Sequence, residues 1–145
     1  MLGKTAIVLS MLSLTACAVG EVGADGQAAS GPMGQKPLMT DTVQASFSQA
    51  LSACQKGTGL DSLGTRGFSP VRNGYQAKID NPNLLGRSVV SAKQTREGCI
   101  VGVTPIFPVE ESTVRNLVAR ISAPANTSMR SGTRGGVGFA EVIFP

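Results

Sequence analysis

Hydrophobic and polar positions alternate along this chain in two periods, and each period predicts an element. In "TDTVQASFSQALSACQKG" the apolar residues Val43, Phe47, Leu51 and Cys54 recur at helical spacing, with Ala50 beside them. Asp41 is the expected N-cap, with Gln44 three residues on, and Gly57 is the expected stop beyond Lys56. Thr58 to Gly67 is glycine-rich and polar and reads as loop.

The period then changes to two. Tyr75, Ala77 and Ile79 alternate with Gln76 and Lys78, after an Asn73-Gly74 pair suited to a type I′ turn. Pro70 confines the preceding arm to a sheet edge. "NPNLLG" (81–86) reads as a turn with a small apolar plug. "RSVVSAKQ" and "CIVGVTP" flank a tight turn at Thr95 to Gly98, and Cys99, Val101 and Val103 fall on one strand face.

"PVEESTVRNLVARISAP" returns to helical spacing. Pro108 and the adjacent Glu110 and Glu111 suit a helix start, and Val114, Leu117, Val118 and Ile121 form its apolar face. As neighbours on a helix, the two glutamates point apart, so they make no acid–base couple. "ANTSMRSGTRGG" reads as irregular loop, and "VGFAEVIFP" as a closing apolar strand, either parallel to a neighbour or along an edge. Helices set apart from hairpin-linked strands predict an α+β fold: a small antiparallel sheet with two helices packed on one face.

The N-terminal pattern is of a different kind. One basic residue, Lys4, precedes a short apolar run from Thr5 to Leu14. A bilayer-spanning helix needs about 20 apolar residues, so this run is a leader rather than a span. The exit Leu14-Thr15-Ala16-Cys17 resembles the lipobox of bacterial lipoproteins. That resemblance implies a signal peptide over 1–16 and a lipid on Cys17. By analogy, Ala18 rather than Asp after the cysteine implies sorting to the outer membrane. Residues 18–37, "AVGEVGADGQAASGPMGQKP", bury too little apolar area to fold and read as a tether following the anchor, which leaves 38–145 as a single domain.

With Cys17 so explained, Cys54 and Cys99 remain in an exported chain. They predict a disulfide stapling the first helix to the sheet. The chain has no histidine and no further cysteine, so a soft metal site lacks ligands, no cofactor is expected, and the common His-dependent catalytic triads and pairs are excluded. The net charge is +4, falling to +3 when Lys4 leaves with the leader. The cations are scattered, and with one Tyr and no Trp the sequence lacks the stacking platform of a nucleic-acid binder.

"RGGVGF" (134–139) has glycines entering a strand rather than a helix, so it reads as a turn and not a phosphate loop. The expected function is therefore that of a non-catalytic protein-interaction module of the cell envelope. Two alternatives stand beside it. One is a ligand or glycan binder using Arg130, Arg134 and Tyr75, or a related inhibitor of an envelope hydrolase. The other is a histidine-free Ser-Lys hydrolase, for which no spacing nominates a pair.

Overall fold

A computed structural model describes residues 35–57 and 59–145. The leader, Cys17 and residues 18–34 of the tether lie outside the described residues. Helix α1 runs Asp41–Lys56 and helix α2 Glu111–Ala119. The strands are β1 Ser69–Val71, β2 Gly74–Asp80, β3 Arg87–Thr95, β4 Gly98–Thr104, β5 Ser128–Arg134 and β6 Val137–Phe144. They form one six-stranded sheet in the order β1-β2-β3-β4-β6-β5, with antiparallel pairing throughout.

The α+β architecture is as the periodicity predicts. Val90 and Ala92 of β3, Cys99, Val101 and Val103 of β4, and Ala140, Val142 and Phe144 of β6 are buried on one face. Onto them pack Val43, Phe47, Ala50 and Leu51 of α1, with Val114 and Leu117 of α2. The Cys54–Cys99 disulfide joins the last turn of α1 to the start of β4, with the two Cα atoms 5.6 Å apart. No described helix is long and apolar enough to cross a membrane.

Several local expectations are corrected. The α1 N-cap is Thr40, whose hydroxyl accepts from the Val43 N–H at 3.4 Å; Asp41 is already inside the helix. Asp61–Arg66 forms a 3-10 turn within the expected loop because Leu63 finds a fully buried seat. Asn73 alone takes a left-handed φ of 63°, so the first hairpin turns on Arg72-Asn73. Gly74 is the first residue of β2, where a Cβ would collide with the Ala92 carbonyl. Leu85 is fully exposed and plugs nothing; in that turn the buried residue is Asn81.

The largest correction lies at the C-terminal end. Ser128–Arg134 is a strand at the sheet edge, not irregular loop, and it makes a hairpin with β6. Gly135 and Gly136, at φ 57° and 79°, supply the two left-handed residues of a tight turn. Strand β6 is neither parallel nor at an edge, because it lies antiparallel between β4 and β5.

The chain enters the domain through a polar clamp. Leu38 and Met39 are buried. Asn81 donates from Nδ2 to the Leu38 carbonyl at 2.7 Å and to Ser88 Oγ at 2.8 Å. Asn83 donates to the Pro37 carbonyl at 2.7 Å. Glu110 is fully buried, and its carboxylate accepts from the Met39 N–H at 2.9 Å and the Phe107 N–H at 2.8 Å. The second bond caps the start of the α2 segment; the first pins the N-terminal segment to it.

Candidate functional site

Strand alternation sends every second residue of the sheet away from the helices. No described helix covers that second face. Its central rows are read off the register. Ser91, Gly102, Glu141 and Arg130 line up across β3, β4, β6 and β5. Lys93, Ile100, Ile143 and Ser128 form the next row. The small side chains of the first row leave a dent of about 380 Å³, walled by Val89, Ile100 and Phe139 and bordered by Lys93, Arg130 and Arg134. Gly102 forms its floor: a Cβ there would come within 3.2 Å of Ser91 Oγ and 3.5 Å of Glu141 Cγ.

One carboxylate organises the cationic border. Arg130 Nε donates to Glu141 at 2.5 Å, and Arg134 donates to both Glu141 oxygens at 3.2 and 3.4 Å. Arg130 also reaches Glu97, in the β3–β4 turn, at 3.3 Å. The Arg134 guanidinium lies 4.0 Å above the Phe139 ring, a cation–π contact that further fixes it. Burial pushes the Glu141 carboxyl up, but the bonds and charges of the two arginines outweigh it and hold the group below its ordinary value. Arg130 moves up in turn, chiefly through its bond to Glu141.

This sets a pH dependence. A carboxylate whose folded pKa is depressed contributes stability above its unfolded pKa and loses it as pH falls through the folded one. Glu141→Gln is therefore expected to lower stability at neutral pH by no more than about 1 kcal/mol, because both arginine partners are exposed to screening solvent. The deficit should vanish in strong acid. Urea melts of both proteins across the acid range check this, and a deficit independent of pH would show that the charge is irrelevant.

Of the ligand trio expected from sequence, Arg130 and Arg134 come together and Tyr75 does not join them. Tyr75 lies on β2, separated from β5 by three intervening strands, and packs against the core on the helix-covered side. Its hydroxyl donates to Asp61 at 3.1 Å, and that bond is the main reason its phenol is pushed up. The sequence reading missed Lys93, Phe139, Glu141 and Gly102. A lone glutamate at an outward position of the apolar run "VGFAEVIFP" was the available signal for Glu141.

No protein-family model, curated protein or solved structure matches this chain. The geometry of the open face therefore stands by itself as the guide to function.

Proposed function

We propose that this chain is an outer-membrane lipoprotein, anchored by lipid on Cys17, whose domain is a non-catalytic interaction module for a protein of the cell envelope. The observation that carries the reading is the uncovered sheet face. It sets half-buried apolar residues, Val89, Ile100, Phe139 and Ile143, among charged groups that are already oriented. Stable protein interfaces have this anatomy, with an apolar centre, a polar rim and arginine enriched. The lipobox resemblance and the tether support a module held at a membrane but free to reach a partner.

A second reading, the small anionic ligand, draws on the same two arginines. Its support is the size of the dent, which falls at the small end of the range for ligand pockets of about 300–1,000 Å³. The dent is open to solvent along the face, which suits a protruding partner segment better than an enclosed molecule.

Site-specific photo-crosslinking in cells tests the reading. A photoreactive residue at Ile100 or Val89 is expected to capture one envelope protein, and Cys17→Ser is expected to abolish the adduct. The same probe at Arg115, on the exposed side of α2, should capture nothing. Capture from α2 alone, or from no position, would overturn the proposal.

A further inference from the structure

The charge on the open face is lopsided. By register, Lys78, Arg87, Lys93, Arg130 and Arg134 share that face with Asp80 and Glu141, and Glu97 joins them at its rim through Arg130. The side that no described helix covers is therefore net positive. Arg87 is paired to Asp80 at 2.8 Å, and the two arginines of β5 share Glu141. Lys93 makes no ion pair among the described residues.

A guanidinium carries five N–H donors. Arg130 uses Nε and Nη1, and Arg134 uses Nη1 and Nη2. Each keeps further donors, and the Arg134 side chain is 65% exposed. Glu141, only 16% exposed, holds both arginines in place without cancelling them. The apolar walls and the Gly102 floor lie directly alongside.

We infer that this trough docks an extended acidic segment of the partner protein, an inference that rests on the interaction-module reading above. An apolar side chain of the segment seats over Gly102 between Val89, Ile100 and Phe139. A neighbouring carboxylate then meets Arg134 and Lys93 through charge-assisted hydrogen bonds. Charge complementarity selects this occupant over the alternatives. A second copy would bring the same cationic excess against itself. An anionic bilayer is drawn to an open basic surface, whereas most cations here are already tied to carboxylates around a dent of side-chain size. Recognition is therefore local and directional.

The test uses the full-length chain and fluorescent peptides of alternating Leu and Glu, with Leu and Gln peptides of equal length as controls. Fluorescence anisotropy should show the acidic peptide binding at least tenfold more tightly. Lys93→Gln with Arg134→Gln should reduce it to the level of the control. Gly102→Val, which fills the dent, should do the same; the exposed pair of substitutions answers the question even if the valine variant fails to fold. Equal binding of both peptides, or indifference to the Lys93 and Arg134 changes, would overturn the inference. So would binding to phosphatidylglycerol vesicles, through those residues, without peptide binding. A partner crosslinked at Ile100 but lacking an acidic segment would refute this inference and leave the interaction-module reading standing.

Discussion

Replacing both Cys54 and Cys99 with alanine is expected to lower the stability of the domain by about 4 kcal/mol, as expected for a closed loop of this length. The separation of 45 residues sets that figure, because the bridge removes loop-closure entropy from the unfolded chain. Domains of this size have only about 5–15 kcal/mol in hand, so the loss is a large share of the margin. The bridge also fixes the far end of α1 to β4, and its two sulfurs fill core space beneath the helix. Guanidinium unfolding of the oxidised, reduced and double-alanine proteins measures the effect. The reduced and alanine forms should agree within about 1 kcal/mol, the residual reflecting the lost sulfur packing. A midpoint unchanged on reduction would show that the denatured chain is already compact around this loop.

Glu110→Ala is expected to cost about 3 kcal/mol. The carboxylate serves two backbone N–H groups, those of Met39 and Phe107, and both lose their acceptor. Each buried donor left unpaired costs roughly 1–3 kcal/mol, and the missing side chain adds a cavity. Glu110→Gln separates shape from bonding. It fills the same volume, but its single oxygen can satisfy only one N–H while its amide nitrogen faces the other. The Gln variant should fall between the parent and the alanine form. Hydrogen exchange at the Met39 amide gives an independent readout, since its protection depends on an acceptor 71 residues away. A Gln variant as stable as the parent would show that one of the two bonds contributes nothing.

The two helices and the central hairpin were legible because their signals are local. Val43, Phe47 and Leu51 mark a helix face by spacing alone, and Cys99, Val101 and Val103 mark a strand face in the same way. The disulfide followed from two cysteines on two apolar faces. Strand β5 was hidden for a physical reason. It is an edge strand with one neighbour, and its inward positions Met129, Ser131 and Thr133 hold only one apolar side chain. The Gly135-Gly136 pair between Arg134 and Val137 was its available signature. Glu110 was read as a helix-start charge, which it is, but its burial depends on Met39, a contact no local pattern contains. The open-face trough could not be assembled either. Its members come from β3, β4, β5 and β6, and only the register puts Gly102 between Ser91 and Glu141.

The clamp at Pro37 to Met39 and the bridge at Cys54 also define how this domain would carry tension. With the proposed anchor at Cys17, any pull from the membrane enters the fold through Pro37 to Met39. The hydrogen bonds from Asn81 and Asn83, together with that to Glu110, meet the load first. Should they yield, α1 can unravel only as far as Cys54, where a covalent bond to β4 takes over. The slack so released is bounded by 15 residues of extended chain, about 50 Å. Beyond that length the covalent bridge passes the load directly to β4 of the sheet.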